Sequence, residues 1–325
     1  MIANQLKNNR RASGLLSALA FAIAVLLTGC KGDENPITVP TARNIAELVT
    51  SNSQFSLLTA AINRAGLGAT LSGTGPFTVF APNDDAFRAA GFADAAAINA
   101  APVATLTNIL QYHVLSGSVP ASAIAVGQTP QQTALSANGT VYVTKAASGT
   151  GVSVNGARVV QTDVQASNGV VHIIDRVLMP PMGNILAVAQ ADTSLSLLVA
   201  AALRGGTVVT SALGGTTPLT VFAPTNSAFR AAGFANAAAI NAAPEATLTN
   251  ILTYHVVPGV RAYSPTLANG AAIPTVQTGT VTMGVSTTGV TVTGKGNGGT
   301  ASRIITPDIT ATNGVIHKID RVLMP

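Results

Sequence analysis

The sequence predicts an α+β protein built twice. Each half places amphipathic helical segments before a run of alternating β segments, and the halves match nearly end to end. "NIAELVTSNSQFSLLTAAINRAG" from Asn44 answers "NILAVAQADTSLSLLVAAALRGG" from Asn184, and "FTVFAPNDDAFRAAGF" from Phe77 answers "LTVFAPTNSAFRAAGF" from Leu219. "ATLTNILQYHVLSG" from Ala104 answers "ATLTNILTYHVVPG" from Ala246, and "NGVVHIIDRVLMP" from Asn168 answers "NGVIHKIDRVLMP" from Asn313. The offset is 140 at Asn44/Asn184, 142 at Phe77/Leu219 and 145 at Asn168/Asn313. So long a period marks whole domains in tandem rather than a solenoid. The expected units are 44–180 and 184–325, with only "PMG" between them.

The elements of one unit follow from local chemistry. Ser53 reads as an N-cap; Phe55, Leu58 and Ile62 share a helical face, and Gly66 stops the helix. "FTVFAP" reads as a short buried strand ended by Pro82, and Asn83 (Thr225 in repeat 2) as the cap of the next helix. Pro102 and Pro244 suit a helix start, and Leu106, Ile109, Leu110 and His113 then fall on one face. From about Val126 the pattern becomes an antiparallel β region punctuated by Asn138-Gly139, Asn155-Gly156 and Asn168-Gly169, each a hairpin signal because both residues accept positive φ. In repeat 2 the Asn155-Gly156 turn becomes "GKGNGGTAS" (Gly294 to Ser302), which is read as the source of the three extra residues and as a solvent-facing hairpin end.

Composition narrows the function. Of 17 Lys and Arg against 12 Asp and Glu, Lys7, Arg10 and Arg11 lie at the N-terminus, leaving 14 − 12 = +2 for the rest. No concentrated basic face remains, so nucleic acid is not an expected partner. The absence of Trp argues against stacking platforms for sugars or single strands. The start of the chain reads as an export signal, residues 1–29: a positive n-region, then "LLSALAFAIAVLL", too short for the roughly 20 residues a spanning helix needs. "LTGC" follows, holding the one cysteine, Cys30, so no intrachain disulfide is possible. Residues 30–43, polar and carrying Pro36 and Pro40, read as a tether.

Two resemblances add to this. "LTGC" resembles the lipobox of bacterial lipoproteins, which implies acylation of Cys30 and a lipid-anchored place in the cell envelope. Lys31, Asp33 and Glu34 are similar to signals that carry such proteins to the outer face of the outer membrane. "TVFAPNDDAF" and "TVFAPTNSAF", the pairs Tyr112-His113 and Tyr254-His255, and the two closing segments resemble the fasciclin domain, over both repeats. The resemblance implies a β-wedge or sandwich of about seven strands with flanking helices. It also implies adhesion or extracellular binding to surface proteins, matrix polymers or host ligands, without a cofactor or a general catalytic mechanism.

His113, His172, His255 and His317 occupy matching positions, two per unit, short of the three or four ligands a zinc site needs and without a nucleophile such as GxSxG. They are expected to be structural core residues, and neither an enzyme nor a metal site is expected. In the closing strand His172 shares its side with Val170 and Ile174, and Lys318 replacing Ile173 implies that the opposite side is wet in repeat 2. Asp175-Arg176 and Asp320-Arg321 read as strand-end polar residues or weak exposed pairs. "TPDITATNG" from Thr306 is similar to a Pro-Asp-Ile segment proposed for integrin contact in animal fasciclin domains; its counterpart is "TDVQASNG" from Thr162. A candidate binding surface therefore comprises Asp163, Val164, Asp308, Ile309, Tyr112 and Tyr254, with His255 beside it. The competing reading is that Asp163 and Asp308 build a turn by accepting backbone N–H groups while Ile309 fills the core. The alternative function is a binding protein for an apolar small molecule or lipid.

Overall fold

A computed structural model describes residues 42–149 and 151–325. The signal segment, Cys30 and the tether up to residue 41 lie outside the described residues. Repeat 1 runs α1 (Ile45–Thr50), a 3-10 turn (Ser53–Phe55), α2 (Ser56–Ala65), α3 (Gly68–Leu71), β1 (Phe77–Pro82), α4 (Asp84–Ala89), α5 (Ala95–Ala100), α6 (Val103–Tyr112), β2 (Val114–Ser116), β3 (Gly127–Gln132), β4 (Thr140–Lys145), β5 (Val152–Val154), β6 (Ala157–Ala166) and β7 (Gly169–Ile174). Repeat 2 runs α7 (Ile185–Ala191), α8 (Ser196–Arg204), α9 (Gly206–Gly214), β8 (Leu219–Pro224), α10 (Asn226–Ala231), α11 (Ala237–Ala242), α12 (Glu245–Tyr254), β9 (Val256–Pro258), β10 (Ala272–Pro274), β11 (Thr280–Ser286), β12 (Gly289–Gly294), β13 (Ser302–Ala311) and β14 (Gly314–Ile319).

Each repeat holds a seven-stranded sheet, ordered β2-β1-β7-β6-β5-β4-β3 and β10-β11-β12-β13-β14-β8-β9. The region after the helices is antiparallel as expected, but β1 and β8 join it and pair parallel with β7 and β14. That crossover explains the continuous apolar run of "TVFAP". β1 lies between two cores, with Val79 and Ala81 under the helices and Phe80 facing Val141, Val143 and Val154 where the sheet curls back. For the same reason both faces of the closing strand are buried, and the side opposite His317 is not wet. Lys318 lays its stem in the interior and pairs its ammonium with Asp192, also reaching Ser194 at 3.2 Å.

Helix starts follow cap chemistry with one shift. Asn83 accepts the Ala86 N–H at 2.9 Å and Thr225 the Ala228 N–H at 3.4 Å. The cap near Ser53 is Asn52, which opens the 3-10 turn by accepting the Gln54 N–H at 3.1 Å. Helix α2 then begins at Ser56 because Asp84, on another helix, accepts the Leu57 N–H at 2.9 Å and the Ser56 hydroxyl at 2.6 Å.

The Asn-Gly pairs do different jobs. Asn138 and Asn155 adopt positive φ, as a tight turn requires, but Asn168 does not. Its side chain is a buried tie: Oδ1 accepts the Ile45 N–H at 2.9 Å, and Nδ2 donates to the carbonyls of Leu71 and Gly73, each at 2.8 Å. Asn313 repeats this with Ile185, Leu213 and Gly215. Gly169 is needed for approach, since a Cβ there would meet the Phe77 carbonyl oxygen at 2.1 Å.

Candidate functional site

Asp163 and Asp308 sit at irregularities in the β6–β7 and β13–β14 ladders, both in the left-handed region at φ 59° and 64°. Asp tolerates that conformation better than most residues. Each bulge presents its N–H to a core histidine, Asp163 to His172 Nδ1 and Asp308 to His317 Nδ1, both at 3.2 Å. The other ring nitrogen then carries the proton: His172 Nε2 donates to the Val119 carbonyl at 2.9 Å and His317 Nε2 to that of Ala262 at 2.8 Å. The aspartate carboxylate closes the clamp on the same loop. Asp163 accepts the Ala121 N–H at 2.8 Å, and Asp308 accepts the Ser264 N–H at 2.6 Å and its hydroxyl. Bulge, histidine and loop thus form one unit, a neutral imidazole bridging two backbone segments.

The other histidine of each repeat ends a helix. His113 Nδ1 donates to the Ile109 carbonyl at 2.7 Å and Nε2 accepts the Leu178 N–H at 2.9 Å; His255 does the same with Ile251 and Leu323. All four histidines are at most 2% exposed. Burial lowers the pKa of His113 and of His255 to about 4. Burial also lowers that of His317, against the opposing pull of the Asp308 carboxylate. Among the described residues no group of three or more His, Cys, Asp or Glu side chains is placed to hold a metal.

The candidate binding surface divides. Tyr112 and Tyr254 are 0% and 1% exposed, so they are not surface residues. Their hydroxyls donate to the carbonyls of Thr140 and Thr280, at 2.9 and 2.6 Å, and anchor the strands. Val164 and Ile309 are half-buried against the helical cores. Asp163 stays half-exposed, whereas the Asp308 carboxylate is closed off, because it lies in a seam between the repeats.

Both repeats belong to one compact unit, and the seam is polar. Arg176 pairs with Asp308 at 2.9 Å, so the Asp175-Arg176 segment is no weak exposed pair. Asp175 itself accepts the Arg158 N–H at 2.8 Å. Tyr263 donates to Asn155 Oδ1 at 3.2 Å, and Asn155 Nδ2 donates to the Tyr112 hydroxyl at 2.9 Å. The Arg261 guanidinium lies 4.4 Å over the Tyr142 ring. Gly156 packs so closely that a Cβ would stand 2.4 Å from the Asp308 carboxyl carbon. The Asn155-Gly156 turn is therefore buried, contrary to the solvent-facing expectation. Only the repeat 2 counterpart reaches water, at Lys295, Gly296 and residues 298–301. That turn is also longer than expected, nine residues between the paired Val292 and Ser302 against two between Val154 and Ala157. Shorter stretches earlier in repeat 2 reduce the net offset.

The helical layers differ. In repeat 1 an apolar cavity of about 120 Å³ lies among Ile45, Val49, Leu58, Leu71, Val79 and Leu110, with Thr70 and Gln111 near its edge. The corresponding place in repeat 2 keeps about 10 Å³. Its α9 is nine residues long against four for α3 and adds Val209 to the core, while Leu213 takes the place that Leu71 holds in repeat 1.

Two copies of one helix-backed, curled sheet, clamped internally by Asp-His units and joined by a polar seam, define a tandem modular protein. The Fasciclin domain family model matches the chain twice, over residues 53–180 and 193–325, and the chain belongs to the fasciclin family. Protein sll1483 of Synechocystis sp. is 41% identical over 143 residues, which are 43% of this chain and 76% of that protein. Transforming growth factor-beta-induced protein ig-h3 of Sus scrofa is 31% identical over 257 residues, 78% of this chain but 35% of that protein, so this chain spans about a third of it. A solved domain pair from the insect cell adhesion molecule Fasciclin I aligns over 83% of this chain and 96% of that one, at 19% identity and a TM-score of 0.41.

Proposed function

We propose that the protein is a bacterial lipoprotein, held to the envelope through acylated Cys30 and working by adhesion or extracellular binding rather than turnover. The two fasciclin domains, taken as 44–180 and 184–325, stand on the tether 30–43. The observation that carries the anchor is "LTGC" placed directly after the apolar run, with Cys30 the single cysteine of the chain. Family membership supports the binding role, and the outer membrane, with the outer face exposed, is the proposed location. Of the two bulges, Asp163-Val164 is the one offered to a protein or matrix partner, because the Asp308 carboxylate is taken by Arg176 and Ser264. Cell fractionation and protease treatment of intact cells test this. Wild type is expected in the membrane fraction and accessible to protease, and Cys30→Ala in the soluble fraction. Membrane retention of Cys30→Ala removes the anchor, and unchanged cell adherence after deletion of residues 44–325 removes the adhesive role.

A second reading is favoured by the cavity in repeat 1. Its roughly 120 Å³ approaches the size of an apolar cavity of about 150 Å³ known to admit benzene. The ligand would be a hydrocarbon ring or the end of an acyl chain. Benzene titration followed by methyl NMR is expected to shift Ile45, Leu58 and Leu110 saturably while leaving Ile185 and Leu198 in place. Leu71→Phe, which fills the cavity, is expected to abolish the shifts. Equal shifts in both repeats, or none, count against this reading.

A further inference from the structure

The apolar cavity of repeat 1 has a polar rim. Its walls come from α1, α2, β1 and α6, through Ile45, Val49, Leu58, Val79 and Leu110, and the half-buried Phe77 adds an aromatic ring. At the mouth stand Thr70, in the single turn of α3, and Gln111, in the last turn of α6. Thr70 is exposed and Gln111 half-buried, so both are open to solvent. Among the described residues neither the Thr70 hydroxyl nor the Gln111 side-chain amide has a hydrogen-bond partner.

Repeat 2 replaces the pair. Asn168 is tied to the Leu71 carbonyl as Asn313 is to that of Leu213, which aligns α3 with the end of α9 and puts Ala212 in the place of Thr70. Gln111 becomes Thr253, whose hydroxyl turns back on its own helix and donates to the Thr249 carbonyl at 2.7 Å. The cavity and its two open polar groups therefore occur together in one repeat and are lost together in the other.

Wall and mouth together select a ligand. No Lys, Arg, Asp or Glu lines the cavity. His113 borders it, but burial keeps the imidazole neutral, and its ring nitrogens are taken by the Ile109 carbonyl and the Leu178 N–H. A carboxylate or phosphate entering here would be buried without a cation, which is costly. A primary amide offers a donor and an acceptor side by side, and a hydroxyl can use both. One such group at the mouth of an apolar pocket fixes the orientation of what enters. The volume, about 120 Å³, suits a single ring rather than a whole acyl chain.

We propose that this cavity takes a small neutral aromatic alcohol of the phenol class. The ring lies inward among Leu58, Phe77 and Leu110, and the hydroxyl points outward to Gln111 with Thr70 beside it. The assignment rests on the cavity's admitting an apolar ring and adds the polar end of the ligand. It is independent of the lipid anchor and of the adhesive role.

NMR titration of the full chain with phenol, benzene and benzoate at pH 7 tests it. Phenol is expected to shift the methyl groups of Ile45, Leu58 and Leu110 saturably, together with the Gln111 side-chain amide. It is expected to bind about fivefold tighter than benzene, the usual scale for one hydrogen bond. Benzoate, ionised at this pH, is expected to leave these signals in place. Gln111→Leu keeps helix propensity and removes the amide, and is expected to bring phenol down to the affinity of benzene while benzene binds as before or better. Should Gln111→Leu disturb the fold, the phenol-to-benzene ratio and the Gln111 amide shift in the wild type decide. Equal affinity for phenol and benzene in the wild type, a phenol advantage that survives Gln111→Leu, or benzoate binding as tightly as phenol overturns the assignment while the apolar site stands. No shift with any of the three overturns both.

Discussion

Acidification from pH 6.5 to pH 4 is expected to remove roughly 3 kcal/mol of stability from each domain through one histidine apiece. His113 and His255 have their pKa lowered to about 4 when folded, from the ordinary 6.5 of an exposed imidazole, because burial disfavours the cation. Between those limits the unfolded chain binds one more proton per histidine, so stability is fully present above about 6.5 and falls as pH drops, levelling below 4. His317 is shifted in the same direction and adds to the loss in the second domain. Urea denaturation at pH 7 and pH 4.5 measures this. His113→Leu leaves the Leu178 N–H and the Ile109 carbonyl unpaired and is expected to cost about 2–3 kcal/mol at pH 7. At pH 4 the variant and wild type should converge. An acid slope that His113→Leu and His255→Leu leave untouched would falsify the assignment.

Asp308→Ala is expected to cost roughly 3 kcal/mol, and Asp163→Ala about 1 kcal/mol beyond the shared loss of left-handed propensity. The residues occupy the same bulge, but the Asp308 carboxylate takes the Ser264 N–H, the Ser264 hydroxyl and Arg176, with its side chain fully enclosed. Among the described residues the Asp163 carboxylate accepts only the Ala121 N–H. The Asn variants isolate charge, since Asn tolerates the same backbone. Asp163→Asn should be nearly silent, whereas Asp308→Asn should loosen the seam and expose it to limited proteolysis. Equal costs at the two sites would mean that the seam contributes nothing.

Much of the fold was legible because it is repeated. Caps, helical faces and the antiparallel half rest on local chemistry, which a single sequence displays. The parallel pairing of β1 with β7 was not legible, since a short apolar run does not name its partner strand. The surface assignment of Tyr112 and Tyr254 failed for a related reason: a tyrosine beside a histidine does not reveal that its hydroxyl is satisfied by a carbonyl 28 or 26 residues away. The seam did leave a trace. The N–H of Val119 bonds Thr78 as that of Ala262 bonds Thr220, which aligns Ser118-Val119-Pro120 with Arg261-Ala262-Tyr263. Ser and Pro in one copy against Arg and Tyr in the other mark the residues that cross between domains. The step in offset from 140 to 142 likewise marks the longer α9 that closes the cavity in the second domain.

The bare Asn155-Gly156 turn gives the pairing a polarity. It is a socket that a neighbour's aspartate bulge can enter only because nothing projects from it. In the second domain the same corner is built outward through Gly294 and Gly296, packed close to the backbone carbonyls of Met324 and Pro325. One end of the tandem thus accepts a bulge and the other has its socket plugged. Head-to-tail contacts of this kind extend into filaments when every copy is alike. Here the two corners differ, so the second repeat does not present to a neighbour the socket that the first one presents to it.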